Sequence, residues 1–367
     1  MIKILFYIDK FAYNGSIGGA EKALITLVNH MNPDLFDITV QTLYPESFAK
    51  LLNSNITYRY CYPRKNVVTD LLYRAEAELG LTYPLHIKDD YDIEVAYLEF
   101  DSTKVISASN NKKAKKIAWV HCDFDIAIHN KPVFIKKTQG QYKKYDKIVC
   151  VSDKCKESFD HIFESNFDSI VIHNVIDDGD IIAKAKMHLP KHISKRKKTI
   201  CSVGNFSPAK NHLRLLKACH TLLDEGNEFE LWLIGDGMLR DQIERYVKDH
   251  QLYDSIKLFG FQSNPYPFMY ESDILVCSSD FEGFSTFICE GVILGKPILT
   301  TDCSGMHDIL NDYDAGIIVE NSDEAFLSGL RKCLQGEISH NPKVRNSFAL
   351  HELVKENEHL FESIINS

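Results

Sequence analysis

Asp280-Phe281-Glu282-Gly283-Phe284-Ser285-Thr286-Phe287-Ile288-Cys289-Glu290-Gly291 decides how this chain is read. The apolar run Ile274-Leu275-Val276-Cys277 before it has the length and composition of a buried strand. Gly295-Lys296-Pro297-Ile298-Leu299-Thr300 after it reads as a turn and the next strand. Glu282 and Glu290, in E-x7-E spacing, therefore bracket a Gly-containing turn and a short helix that follow directly on a strand. At such a junction, free backbone N–H groups and the helix dipole converge on one spot and favour an anion. Carboxylates beside that spot would repel phosphates, but they accept hydrogen bonds from sugar and ribose hydroxyls. The combination points to a nucleotide sugar.

Outward from this segment, strand and helix alternate along the whole chain, which implies parallel sheets with helices on both faces. The first half predicts strands at 4–8, 38–43, 93–97, 117–120, 148–151 and 170–172. Residues 66–91 are expected to be mostly helical. A polar, basic stretch ending in Lys195-Arg196-Lys197-Lys198 marks a boundary. The alternation then restarts, with strands at 199–203, 230–234, 256–259, 274–277, 297–300 and 315–319. Helices are expected at 211–223, 239–249, 286–294 and 323–334. The fold class expected is α/β, two Rossmann-like domains facing across a cleft. The domains are 1–175 and 199–344, joined by a linker at 176–198, with a C-terminal helix in 345–367 packing back on the first.

At 367 residues, two domains are the default. A net charge of -9 excludes a general nucleic-acid binder. Ten cysteines without metal-ligand spacing read as reduced thiols of a cytoplasmic protein. No uncharged apolar run reaches the ~20 residues needed to cross a membrane, so contact with one would be peripheral.

Further candidates lie where strands end. Gly18 and Gly19 open the first helix and allow close backbone approach to a phosphate, or simply form a turn. Lys210 follows Gly204-Asn205 at a strand-to-helix junction and either reaches a diphosphate or is a solvated surface lysine. Gly235-Asp236-Gly237 is a strand-end turn whose glycines carry the information. The loop Gly260 to Tyr266, containing Phe261, offers backbone groups and an aromatic wall to a nucleobase, or is an ordinary turn fixed by Asn264-Pro265. His121, at the end of a strand, either bonds a substrate hydroxyl or is structural. Lysines in Lys112–Lys116 and Lys131–Lys147 are either a contact for anionic lipid or a solvated face.

In this order Gly204, Lys210, Gly235–Gly237, Gly260–Pro265, Glu282 with Glu290, and Gly295–Pro297 resemble the family-4 retaining glycosyltransferases of the GT-B fold. The likeness is to the bacterial surface-polysaccharide enzymes of capsule, exopolysaccharide and lipopolysaccharide synthesis. It implies that Lys210 binds the donor diphosphate and Glu290 the ribose hydroxyls. Glu282, with the backbone of Gly283, Phe284, Ser285 and Thr286, would hold the donor sugar and phosphate. Gly18 and Gly19 would meet the diphosphate, His121 would face the donor sugar, and Gly235 and Phe261 would line the donor site.

The implied reaction moves a sugar from a nucleotide diphosphate, a UDP-sugar above all, to a hydroxyl of a glycan or lipid-linked acceptor. Configuration is retained, and neither metal nor cofactor takes part. The implied location is cytoplasmic, with peripheral contact at the inner face of the cell membrane. Relatives carry Arg where Asn205 stands, so either another cation, Arg214 or Lys296, supplies the missing charge or leaving-group stabilisation is weaker. A nucleotide-sugar epimerase or hydrolase, and a non-catalytic binding subunit, are the competing readings.

Overall fold

The computed structural model describes all residues except 10–17, 129–130, 165–166, 191–192, 194, 304, 312, 339–348 and 367. The chain divides into two units. One is Met1–Ile176 with the C-terminal segment from His351, and the other is Asp177–Leu350.

The first unit is built on a 7-stranded sheet: β1 (Ile2–Ile8), β2 (Phe36–Thr42), β3 (Thr57–Tyr60), β4 (Ile93–Ala96), β5 (Lys115–Val120), β6 (Lys147–Cys150) and β7 (Ser169–Val171). The order is β3-β2-β1-β4-β5-β6-β7, and every neighbouring pair is parallel. β1 runs Ile-Lys-Ile-Leu-Phe-Tyr-Ile and is buried from Ile4 onward, as a central parallel strand covered on both faces must be. Residues 66–91 form helices Val67–Leu79 and Thr82–His86. The first is closed by a capping box between Asn66 and Thr69 and ended by Gly80 in the left-handed conformation. The helix Leu350–Asn366 buries Leu353, Leu360, Phe361 and Ile364. The Phe361 ring meets Phe6, Phe36 and Trp119 edge-on or tilted, at 5.7–6.4 Å between centroids.

The second unit repeats the plan with β8 (Thr199–Val203), β9 (Glu230–Ile234), β10 (Ile256–Gly260), β11 (Ile274–Cys277), β12 (Ile298–Thr301) and β13 (Gly316–Val319). This 6-stranded parallel sheet has the order β10-β9-β8-β11-β12-β13. Its core packs Leu215, Leu216, Cys219, Leu231, Leu233, Val276, Leu299, Phe326 and Leu330 between sheet and helices.

Two differences from the sequence reading stand out. β3 was not expected; its Thr-Tyr-Arg-Tyr is an exposed edge strand with little apolar signature. The stretch 176–198 is not a plain linker. Residues Asp178–Ala185 form a helix of the second unit, capped by the Asp177 side chain on Asp180 N and tied to Asn264, whose amide donates to Lys184 O at 3.2 Å. Only Ile181 and Ala185 of that helix are buried, too few to show a period.

Replacing Phe361 with Ala should cost the first unit about 3–5 kcal/mol by emptying a fully buried aromatic site. Urea unfolding of the two proteins measures it; a loss below about 1 kcal/mol would contradict this packing role.

Candidate functional site

In the second unit β8 and β11 are adjacent, yet their connections leave in opposite directions, β8 toward β9 and β11 toward β12. That divergence opens a crevice at the carboxyl ends of the strands, where open parallel sheets bind ligands. The loops after β8, β9, β10 and β11 carry Lys210, Gly235, Phe261 and Glu282 to this same edge.

The centre of the edge is a contact between two loops. Lys210 Nζ donates to Glu282 Oε1. Ser279 Oγ donates to the same oxygen at 2.7 Å, and Cys277 Sγ lies 3.8 Å from it. Among the described residues Oε2 is left open to a ligand. The loops are stitched by Ser278 Oγ to Lys210 O at 3.0 Å, Asp280 N to Ala209 O at 2.7 Å, and the Asn211 amide to the Asp280 carboxylate at 3.1 Å. Asn211 adopts a left-handed conformation (φ 41°) and caps Arg214 N, which turns the chain sharply after Lys210 into the helix His212–Asp224. Burial alone would lower the Lys210 ammonium, but the Glu282 carboxylate reverses this and holds it above its ordinary value. Lys210 therefore stays cationic through neutral pH.

The helix Thr286–Ile293 starts beside this pair. Ser285 is its N-cap residue, yet its buried hydroxyl makes no capping bond and has no partner. A buried hydroxyl and the free N–H groups of a helix start need hydrogen bonds, and an anion would supply them. Phe284 is buried, while Gly283 and Thr286 are partly exposed. On the same helix, Glu290 is buried and accepts from Tyr266 OH at 3.1 Å. Tyr266 follows Asn264-Pro265 directly, so the loop with the exposed Phe261 lies next to Glu290.

Gly235 has a packing reason of its own. Its φ is 148°, and a Cβ there would lie 1.9 Å from Gly204 O. Gly237 likewise approaches Asn205 and Phe206 too closely for a side chain. These glycines let the turn after β9 lie against the loop that leads to Lys210.

Of the two alternatives left by Asn205, a substitute cation is not supplied by Arg214 or Lys296. Arg214 is buried and spends its guanidinium on Asp323 (2.8 Å), Asn321 (2.6 Å) and Asp280 (3.0 Å). Lys296 lies before β12, at the amino edge of the sheet, where it donates to Ser272 O at 3.1 Å and sits over the Tyr270 ring. His212, two residues after Lys210, is buried with an unpartnered Nδ1, and burial lowers its pKa to about 3, helped by Lys210.

In the first unit His121 follows β5. Its backbone N–H donates to Glu99 Oε2 at 2.9 Å, and its ring lies 4.9 Å from that of Tyr97. Burial lowers its pKa to about 3, against a smaller opposing contribution from a hydrogen bond to the Tyr97 backbone. Nε2 is buried and without a partner. With Nδ1–H on the Tyr97 carbonyl, the neutral ring presents Nε2 as an acceptor. Gly18 caps the helix Gly19–His30, and a Cβ on it would lie 2.4 Å from Glu21 Oε2. A carboxylate at that helix start makes the spot more suitable for hydroxyls than the sequence implied. The rest of the loop, 10–17, falls outside the described residues.

The lysine cluster does not form one patch. Lys115, Lys116 and Lys147 begin β5 and β6 at the amino edge of the sheet, away from His121 at the other end of β5. Lys115, Lys131, Lys137 and Lys147 are paired with Asp146, Asp125, Glu78 and Asp168. Sequence reasoning missed Ser279, Tyr266 and Glu99 as partners of the site residues. Tyr266 pairs with a residue 24 positions away, which no local pattern signals.

Residues 184–349 match the family described as "Glycosyl transferases group 1". The match covers under half of the chain. A Campylobacter jejuni N-acetylgalactosamine-N,N'-diacetylbacillosaminyl-diphospho-undecaprenol 4-alpha-N-acetylgalactosaminyltransferase is 30% identical over 169 residues, 46% of this chain and 44% of that protein. The chain thus spans under half of that relative. An uncharacterized glycosyltransferase of Haemophilus influenzae is 24% identical across 90% of both chains. Among solved structures, Anabaena HepE in complex with UDP and glucose superposes with a TM-score of 0.72 at 16% identity, over 99% of both chains. That likeness shows the GT-B fold.

Below pH 6.5 the unfolded chain protonates His212, while the folded protein resists down to about 3. Stability therefore falls with acidification in that window, by about 1.4 kcal/mol per pH unit for one such histidine. The difference in stability between wild type and His212→Leu, measured by urea unfolding at pH 7, 6 and 5, should shift in the variant's favour as pH falls. A pH-independent difference would contradict the buried neutral ring.

Proposed function

We propose that the protein is a retaining glycosyltransferase that moves a sugar from a nucleotide-diphosphate sugar, a UDP-sugar, to a hydroxyl of a glycan or lipid-linked saccharide in cell-surface polysaccharide synthesis. One observation carries this: Lys210, kept charged by Glu282, stands beside the helix start at Ser285 with its orphaned hydroxyl. Cation and helix start together can hold a diphosphate and stabilise its developing charge as it leaves. Support also comes from the match to glycosyl transferases group 1 and from a relative whose name includes a diphospho-undecaprenol acceptor. HepE, with UDP and glucose bound, supports the choice of donor.

In this reading Glu290, oriented by Tyr266, accepts the ribose hydroxyls, and Glu282 Oε2 accepts a sugar hydroxyl. His121 Nε2 accepts a hydroxyl of the transferred sugar. The acceptor hydroxyl attacks from the face the diphosphate leaves, and a diphosphate oxygen takes its proton, so no protein nucleophile and no metal is assigned. The protein works on the cytoplasmic side, at the membrane surface.

With Arg214 and Lys296 engaged elsewhere, Lys210 carries the leaving-group charge without the family's arginine, and this favours one second reading, a nucleotide-sugar-binding subunit without turnover. Incubation with UDP-sugars and a panel of lipid-linked and free saccharide acceptors separates the two. Transfer should be seen, and Lys210→Ala should lower it roughly 100- to 1,000-fold with the fold intact. Near-normal transfer by Lys210→Ala would remove the assignment; donor binding without transfer would select the second reading.

A further inference from the structure

The sheet of the first unit diverges as that of the second does. β1 and β4 are adjacent, and their connections leave in opposite directions, β1 toward β2 and β4 toward β5. Such a divergence makes a ligand crevice at the carboxyl ends of the strands. Asp9 follows β1 there, Glu99 follows β4 and His121 follows β5. The end of β1 is tied to the helix Asp101–Ser107 that follows Glu99. Asp9 N donates to Ser102 Oγ at 3.0 Å, and Ser102 Oγ donates to Asp9 Oδ1 at 2.5 Å.

Glu99 is costly to keep where it is. Its Oε2 accepts the His121 N–H at 2.9 Å, and the Cys122 thiol lies beside the carboxyl. No cation is among the groups that act on it, and burial pushes the carboxyl above its ordinary pKa. Part of the residue nevertheless remains exposed. A buried carboxylate with no cation costs stability. The backbone beside it is costly as well. Phe100 is held at φ 64° and ψ -103°, which a residue other than glycine adopts only under strain. Its ring is kept in place by stacking on Phe124 at 6.0 Å and by an edge contact with Phe134 at 5.9 Å. Its carbonyl accepts from Lys104 N at 3.0 Å, so the helix opens directly after Glu99.

The chemistry of the two groups identifies the ligand. His121, whose backbone Glu99 holds, has a buried Nε2 without a partner. A carboxylate and a neutral imidazole nitrogen both need donors, and with no cation beside them they suit neither a phosphate nor a carboxylate. Sugar hydroxyls are donors without charge. We propose, on the reading of the protein as a glycosyltransferase, that Glu99 accepts a hydroxyl of the saccharide bound at His121. It is a second contact that holds the sugar in place for transfer.

Transfer kinetics of wild type, Glu99→Gln and Glu99→Ala, with melting transitions and UDP titrations of the same proteins, test it. Glutamine keeps the shape, and its carbonyl oxygen still receives the His121 N–H. It lacks the charge and the second accepting oxygen. Glu99→Gln should lower kcat/KM roughly 10- to 100-fold. Its melting transition should hold or rise, since a buried charge without a cation is gone, and its affinity for UDP should stay that of wild type. A raised KM for the donor assigns the hydroxyl to the transferred sugar, and a raised KM for the acceptor assigns it to the acceptor saccharide. Wild-type kinetics for Glu99→Gln, with a loss confined to Glu99→Ala, would overturn the proposal, because Glu99 would then only hold the His121 loop. A melting transition of Glu99→Gln lowered together with its activity would overturn it as well. UDP binding by wild type without transfer to any acceptor would instead remove the glycosyltransferase reading, and the proposal with it.

Discussion

The contact of Lys210 with Glu282 is the constraint on which the proposed donor site depends. Neither residue is near the other in sequence. They meet because β8 and β11 are neighbours in the sheet and their loops diverge at its carboxyl edge. The pair solves an electrostatic problem: a lysine meant for phosphate must be partly buried to act strongly, yet burial alone would disfavour its charge. Glu282, itself held by Ser279, keeps the ammonium charged, and in the proposed reading its other oxygen takes a hydroxyl. The first glutamate of the E-x7-E segment is therefore a partner of the lysine as well as the proposed sugar contact.

The two units use opposite electrostatics around their candidate residues. Around Lys210 the second unit keeps a positive charge beside the helix start at Ser285. Around His121 the first unit keeps a neutral ring with an accepting nitrogen. One arrangement suits a leaving diphosphate and the other a sugar hydroxyl. Both leave buried polar atoms without protein partners, Ser285 Oγ and His121 Nε2, and such atoms are costly unless a ligand satisfies them.

Much of this was legible in the chain. Most strand positions follow from short apolar runs because central parallel strands are buried on both faces. Glu282 and Lys210 follow from their places in strand-end loops, and Glu290 from its place on the helix after Glu282. The edge strand β3 and the helix Asp178–Ala185 escaped because each buries too few apolar side chains to leave a period. Partners such as Ser279 to Glu282, Tyr266 to Glu290 and Glu99 to His121 were out of reach because the sheet, not local spacing, brings most of them together. The glycines of 235–237 were seen, but their cause lies in backbone crowding against Gly204 and Phe206, which only the structure displays. Arg214 and Lys296 were plausible cations by composition alone; position excludes both.

The central claim is that Lys210 and the helix start grip a diphosphate. Calorimetric titration of UDP and UMP into wild type and Lys210→Ala tests it without any acceptor. A diphosphate grip predicts that wild type binds UDP more tightly than UMP by about tenfold or more, and that Lys210→Ala removes most of that preference. Equal affinity of wild type for the two nucleotides, or a preference for UDP that survives the loss of Lys210, would contradict it.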